Sequence, residues 1–472
     1  MRWTDDDLYE RILAKDASLD GHVLTGVLTT GIYCLPSCPA RKPRRENVRF
    51  FPDEASASAA GLRPCRRCRP DRYYRDEDPD LARLESALVE ADRSPEAFPS
   101  TAALAEAVGV GGTKLKTLFR SHLQATPSAF LQAARVRAAC RRLADDAAAL
   151  SDLGYGVGFE SASGFHTAFR RQTGMCPSAY RALLDSGRFL LDLPLGFRVE
   201  DVLQFQGRDG LSVSERVEGA RLRKAFFSGG HPAVLELAFE GRRAAVSLEG
   251  GPGTRRSRLE AHASALRLLG WHGNPDAFET AHPAFIRGRE GLRIPLTLDP
   301  FEALVWAITG QQVNLAFAYA LRRDLIRLAG LPAGHGLIAH PDPGHLAAQT
   351  PEALQALRFS RRKAEYLIGA AQAVAEGRLR LETLSTATAA ERALMGLRGC
   401  GIWTARYVMM RGLGFADCVP VGDAGLTLAL QRTFALSVRP DGTETERLMA
   451  PFAPHRSLAT FHLWTSLKGV PA

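Results

Sequence analysis

The chain has 472 residues, a length that at ~100–200 residues per domain calls for about three domains and several separate cores. With 46% hydrophobic and 24% charged residues the composition is that of globular protein, which excludes wholesale disorder, a collagen-like fibre and a membrane protein. The net charge of +9 permits a polyanionic partner without establishing one, and the polar, acidic start from Met1 to Glu10 has no apolar signal core, so a cytoplasmic protein is expected.

The charge is unevenly placed. From Arg41 to Arg75 eleven basic residues stand against four acidic ones, a local +7. Such a run is by itself most often a solvated face, but four of the eight cysteines fall within it or just before it. Cys34 and Cys38 form C-x3-C, and after 26 residues Cys65 and Cys68 form C-x2-C. Two chelating pairs at this spacing can close one tetrahedral four-cysteine zinc site. In a reducing compartment that is favoured over two disulfides or four free thiols. Cys140, Cys176, Cys400 and Cys418 are scattered, and buried or incidental roles are expected for them.

The stretches Thr29-Thr-Gly-Ile-Tyr-Cys34, Pro36-Ser-Cys-Pro-Ala-Arg41, Arg45-Glu-Asn-Val48 and Arg63-Pro-Cys-Arg-Arg-Cys-Arg-Pro-Asp71 resemble the N-terminal zinc domain of the Ada response proteins. The resemblance implies that Cys34 accepts a methyl group from a DNA phosphotriester once per molecule, with Arg41 and Arg45 against DNA. The chemistry is sound, since a zinc-held thiolate is a nucleophile toward an alkyl carbon. Conversion to a thioether removes one negative charge facing the phosphates, so DNA affinity rises. On spacing alone a purely structural zinc ribbon would be favoured, and the resemblance is what points to methyl acceptance.

The acidic stretch Asp76 to Asp80, with Pro79, reads as a linker. Beyond it the chain repeats at an offset of about fifty residues. Lys116 to Phe130 aligns with His166 to Tyr180, pairing Phe119 with Phe169 and Pro127 with Pro177, while Leu104 to Gly109 pairs with Leu153 to Gly158. Each copy is a short helix closing on glycine before a second helix, the form of a helix-turn-helix, and a helix over Ala129 to Leu143 joins the two. A plain helical bundle would not explain the repeat. The doubled unit looks like the DNA-binding domain of AraC-type activators, which implies recognition helices near Gly112 to Ser121 and Ser161 to Gln172, with promoter sites and RNA polymerase as partners. The first begins Gly111-Gly-Thr-Lys114, which is poor in groove-reading side chains.

From Leu193 short strand patterns follow at Phe197-Arg-Val199, Ala233 to Phe239 and Ala244 to Leu248, broken by paired glycines. After Asp299 nearly everything reads as helix. Leu397-Arg-Gly-Cys-Gly-Ile-Trp-Thr-Ala-Arg-Tyr407 places Gly399 and Gly401 in a tight turn between helices, where backbone N–H groups can meet a phosphate. Together with Cys418-Val-Pro-Val-Gly-Asp423, Asp299 to Val313 and Phe461-His-Leu-Trp464, this resembles the helix-hairpin-helix glycosylases of the 3-methyladenine DNA glycosylase II type.

That resemblance implies a flipped alkylated purine held by Trp403, Tyr407, Trp464, Phe205 and Gln311. It implies Asp423 as the carboxylate that stabilises the oxocarbenium-like transition state, the hairpin of Gly399 and Gly401 on the DNA backbone, and Gln312 as a polar wedge. Trp403 stands where lyases of this superfamily carry their Schiff-base lysine, so a monofunctional hydrolase leaving an abasic site is expected. No Pro-Cys-His-Arg motif occurs, and with it the O6-alkylguanine acceptor is absent.

The expected fold is therefore a multidomain α+β chain: a zinc domain over 1–76, an all-α tandem helix-turn-helix domain over 81–185, an α+β, TBP-like subdomain over 193–298, and an all-α helix-hairpin-helix glycosylase domain over 299–472. One zinc ion is the cofactor. Double-stranded DNA, with its alkylated bases and methyl phosphotriesters, is the partner, and no membrane is involved. The rivals are a transcription activator whose glycosylase-like half is inactive, and an enzyme whose first two domains only target it.

Overall fold

The computed structural model describes residues 3–16, 19–73, 79–145 and 150–467 and divides into two compact units, Met1–Leu84 and Glu85–Ala472.

In the first unit helix α1 (Asp5–Leu13) opens on a capping box in which Thr4 and Asp7 satisfy each other's backbone N–H groups. Its Leu8 and Ile12, one helical turn apart, are buried with Leu19, Val23, Val48 and Phe50. Strands β1 (Leu24–Val27), β2 (Ile32–Cys34), β3 (Val48–Phe51) and β4 (Arg63–Pro64) form a sheet in the order β3-β1-β2-β4, with helices α2 (Glu54–Ala59) and α3 (Pro70–Tyr73). β2 and β4 run parallel, and the Cys65 N–H donates to Tyr33 O at 2.9 Å. This pairing lays the two cysteine pairs side by side.

Of the expected linker, Asp76 to Asp78 lie outside the described residues. Pro79 and Asp80 form the first turn of helix α4 (Pro79–Arg93), because proline at a helix start lacks only an N–H that has no partner there.

The tandem repeat is a repeat of packing. Helix α5 (Thr101–Val108) ends on Gly109 at φ +71° and leads into α6 (Gly112–Leu118) and a π-helical turn over Phe119–Leu123. The long α7 (Pro127–Ala144) connects to α8 (Leu150–Gly156), α9 (Ala162–Thr173) and α10 (Pro177–Leu183). Phe119 and Phe169 are both fully buried, and Pro127 and Pro177 each open a helix. The exposed N-terminal turns of α6 and α9 fit recognition helices.

Next come β5 (Arg188–Asp192), α11 (Val199–Gln206), β6 (Glu215–Glu218), β7 (Arg221–Ser228), β8 (His231–Glu240), β9 (Arg243–Gly250) and α12 (Arg255–Leu268). The strands make an antiparallel sheet in the order β5-β9-β8-β7-β6. The strand expected at Phe197 to Val199 is not one: Val199 begins α11. The acidic Glu200 and Asp201 suit a helix N-terminus, and the helical period of Val199, Val202 and Gln206 shows only over a window longer than three residues. Leu222, Leu235, Leu237 and Val246 of the sheet share one apolar cluster with Phe165, Phe169, Tyr180 and Leu183 of the second helix-turn-helix. The two parts therefore form one body, not beads on a string.

The remainder holds α13 (Asp276–Ala281), α14 (Pro283–Ile286), α15 (Pro300–Gly310), α16 (Leu315–Ala329), the hairpin of β10 (Leu331–Gly334) and β11 (Leu337–Ala339), then α17 (Pro343–Ala347), α18 (Pro351–Ala356) and α19 (Arg361–Ala375). It closes with α20 (Ala387–Met395), α21 (Ile402–Val408), α22 (Ala424–Thr433), α23 (Gly442–Met449) and α24 (Arg456–Ser466). The β10–β11 hairpin is the departure from the all-helical expectation. A buried quartet rivets this helical part to the sheet: Arg322 meets Glu215 at 2.8 Å and Glu302 at 3.0 Å, and Lys224 meets Glu302 at 2.8 Å. Two cations balance two anions, which is what keeps burial of such groups tolerable.

Candidate functional site

Cys34 ends β2 and Cys65 follows β4, so backbone pairing delivers one cysteine from each chelating pair. All four sulfurs lie within 4.8 Å of one another. A tetrahedral zinc site with Zn–S bonds of about 2.3 Å wants neighbours about 3.8 Å apart, so the donor set and spacing fit one zinc ion held by Cys34, Cys38, Cys65 and Cys68. Zinc in such a set keeps its cysteines deprotonated at neutral pH. Backbone N–H groups support two of the sulfurs, Leu35 to Cys68 at 3.3 Å and Arg67 to Cys65 at 3.4 Å. Cys38 and Cys65 are buried whereas Cys34 and Cys68 are half-buried, so Cys34 is one of two sulfurs with an open side. Arg41, Arg63, Arg66 and Arg67 are exposed. Arg45 is engaged within the fold: its Nε donates to Asp6 at 3.0 Å and its guanidinium lies over Tyr9 and Phe50.

In the second unit α20 and α21 enclose the glycine hairpin. Gly399 has φ +85°, and a Cβ there would stand 2.2 Å from the Tyr366 ring, so this position admits glycine alone. Gly401 is the exposed N-cap of α21, with open space around it. Gln311 donates its amide to Gly399 O at 2.9 Å and to Thr404 Oγ1 at 3.0 Å, which makes it a buttress of the hairpin. Gln312 beside it is exposed at φ +54°.

Asp423 is the N-cap of α22. It is not the free surface-loop residue that a lone aspartate suggests. Its Oδ1 accepts from Leu426 N–H at 2.7 Å and Trp464 Nε1 at 2.9 Å, and its Oδ2 accepts from Trp403 Nε1 at 3.1 Å. A carboxylate offers about four lone-pair directions, so one on Oδ2 is left for a ligand. Tyr407 stacks on Trp403 with ring centroids 5.6 Å apart and lies 6.2 Å from Trp464. All three rings are half-buried. The carboxylate and the three aromatic faces expected from the sequence thus meet at one place.

Phe205, at the end of α11, packs on Phe461 and is covered by two guanidinium groups, Arg208 at 3.8 Å and Arg411 at 4.2 Å from its ring centre. Arg411 is 2% exposed, and burial pulls it down to about 10, still protonated at neutral pH. Sequence reasoning missed Arg411. The signal was its spacing, four residues beyond Tyr407, although the structure places Arg411 in the π-helical turn Met409–Leu413 that follows α21.

Comparison with known proteins agrees with this geometry. Residues 7–71 match the metal binding domain of Ada, residues 104–183 a helix-turn-helix domain, and residues 305–454 the HhH-GPD superfamily of base excision DNA repair proteins. Fold and site define a helix-hairpin-helix base-excision repair protein with a four-cysteine metal-binding domain and a helix-turn-helix domain in the same chain. The "Probable bifunctional transcriptional activator/DNA repair enzyme AlkA" of Mycobacterium tuberculosis is 31% identical, over 98% of this chain and 96% of that one, and the chain belongs to that family. The "Bifunctional transcriptional activator/DNA repair enzyme Ada" of Escherichia coli is 34% identical over 38% of this chain and 49% of its own length. A solved 3-methyladenine DNA-glycosylase from Archaeoglobus fulgidus, 19% identical, covers 59% of this chain and 98% of itself with TM-score 0.52, a likeness of fold. Among the described residues no helix is long and apolar enough to cross a membrane.

Proposed function

We propose that the chain answers alkylation damage with two chemistries: hydrolytic excision of alkylated purines such as 3-methyladenine, and stoichiometric transfer of a methyl group from a DNA phosphotriester to Cys34. The observation that carries the first is Asp423 held between two indole N–H groups beside a stacked Trp403–Tyr407 pair. A flipped N-alkylated purine is cationic and stacks on such faces, and Asp423 stabilises positive charge growing on the sugar. Trp464 and Phe205 complete the apolar surround, the hairpin of Gly399 and Gly401 takes the backbone, and Gln312 enters the gap. With tryptophan at position 403 no imine forms, so the strand stays intact.

The domain limits we assign are 1–76, 81–185, 193–298 and 299–472, the third being the TBP-like half of the glycosylase. Cys34, half-buried at a strand end amid exposed Arg41, Arg63, Arg66 and Arg67, suits methyl acceptance. Double-stranded DNA is the partner, the helix-turn-helix pair reads promoter sites and acts through RNA polymerase, and the protein works in the cytoplasm. An intact carboxylate and aromatic set argues against an inactive glycosylase half. Free base measured after incubation with N-methylated duplex tests the proposal: Asp423→Asn should lose it and Cys34→Ser should keep it, and the opposite pattern overturns the assignment.

A further inference from the structure

Beyond the core and the hydrogen bonds that tie the second helix-turn-helix to the sheet subdomain, side chains of the first helix-turn-helix half reach the helical glycosylase domain. Thr386 Oγ1 donates to Glu85 at 2.8 Å, His122 Nδ1 lies 2.8 Å from Thr388 Oγ1, and Gln124 clasps the backbone of Asp417 from both sides. The Asp417 N–H donates to Gln124 Oε1 at 2.7 Å, and Gln124 Nε2 donates to Asp417 O at 3.4 Å. Thr386 and Thr388 belong to the N-terminal end of α20, the first helix of the hairpin motif. Asp417 belongs to the connection that runs from α21 to Asp423.

Near Asp417 the glycosylase holds that connection through Ser457, whose Oγ accepts from the Cys418 N–H at 2.9 Å, and through Arg456. Asp417 receives both Nε and Nη2 of Arg456 at 2.7 Å, at the start of α24, whose far end carries Trp464 and hence the bond to Asp423. Asp417, α24, Trp464 and Asp423 therefore close a ring, and Gln124 grips that ring from outside. Gln124 itself sits at φ +57°, a left-handed conformation a side-chain-bearing residue adopts at a cost. The cost is borne where glycine would be easier, and the side chain has a defined task there.

We infer that the helix-turn-helix pair is a working part of the glycosylase, and that Gln124 is a positioning residue which holds the Asp417–Asp423 connection so that the carboxylate meets the flipped nucleotide. This rests on the base-excision function proposed above. Gln124 touches neither base nor sugar; it acts through Asp417. A misplacement of 1 Å in a catalytic group costs about 10²-fold in rate, and since Arg456 and Ser457 still hold the loop, removal of Gln124 should cost roughly three- to thirtyfold.

The test is single-turnover excision by the full-length, zinc-loaded chain in excess over N-methylated duplex, comparing wild type with Gln124→Gly, which relieves the backbone and removes the side chain with its amide. Gln124→Ala serves if glycine loosens the turn. A positioning role lowers the rate constant while DNA affinity, reaction amplitude and melting temperature stay within error. A merely structural role lowers the amplitude and the melting temperature and leaves the rate constant of the folded fraction unchanged. A rate constant within twofold of wild type overturns the inference alone, whereas a wild-type chain that releases no base overturns the base-excision function and this inference with it.

Discussion

Replacing Asp423 with asparagine separates the charge of this residue from its structural work. Asparagine caps a helix about as well as aspartate, so the Leu426 N–H keeps its acceptor. With the oxygen kept for the cap and for Trp464, the amide nitrogen must face the indole N–H of Trp403, which donates to Oδ2 at 3.1 Å in the native chain. One donor then loses its acceptor, which costs about 1–3 kcal/mol when buried and toward the lower end at this half-buried site. The catalytic loss is larger. Removing one preorganised electrostatic group costs ~10²–10³ in rate, or about 2.7–4 kcal/mol, whereas the hairpin and its phosphate-side contacts remain. Single-turnover release of 3-methyladenine, run beside a binding titration at fixed salt, should show the rate falling a hundredfold or more with affinity nearly unchanged. Asp423→Ala should match that rate loss and add about 0.5–2 kcal/mol of instability from the lost cap. Excision by Asp423→Asn within a few-fold of wild type would refute the assignment, and loss of binding along with activity would make the residue structural.

Metal analysis of Cys38→Ser and Cys65→Ser should show loss of the zinc; full stoichiometry in either would remove the site. Mass spectrometry after exposure to methylated DNA should find one methyl on Cys34, and a methyl on Cys38 instead would reassign the nucleophile. Gly399→Ala forces a Cβ to 2.2 Å from the Tyr366 ring at φ +85°, so it should cost stability and DNA affinity, while Gly401→Ala, with open space around it, should leave the fold intact; equal effects would contradict the distinction. Burial alone would raise the Glu302 carboxyl, but Lys224 and Arg322 overcome it and hold it at about 2 against an ordinary 4.5. Its ion pairs therefore add stability that is fully present above about pH 4.5 and lost as pH falls toward about 2. Glu302→Gln should cost about 3–5 kcal/mol at neutral pH and flatten denaturant-measured stability across that window, and an unchanged slope would show that the quartet does not govern acid stability.

Features carried by residue type and spacing were legible in the sequence. The cysteine pairs fixed the metal site because zinc geometry tolerates few spacings, and the fifty-residue repeat announced paired helix-turn-helix units whose Phe119 and Phe169 are equivalently buried. Features that depend on which faces meet were not. A three-residue window hid α11, so Phe205 was placed without its helix or its two arginines. The resemblance puts Gln311 in the pocket, and only the structure shows that its Nε2 donates to Gly399 and Thr404. Periodicity cannot say that the second helix-turn-helix shares a core with the sheet, because both contribute ordinary apolar faces, nor that Gln124 reaches a backbone 293 residues away.

The most direct measurement is the count of free bases released per molecule by the purified full-length chain acting on excess N-methylated duplex. Release of 3-methyladenine well beyond one per chain is predicted, with abasic sites in strands that stay unbroken until alkali is added and no borohydride-trapped covalent adduct. No release, release that stops at one base per chain, or strands cut through a trapped imine would contradict it.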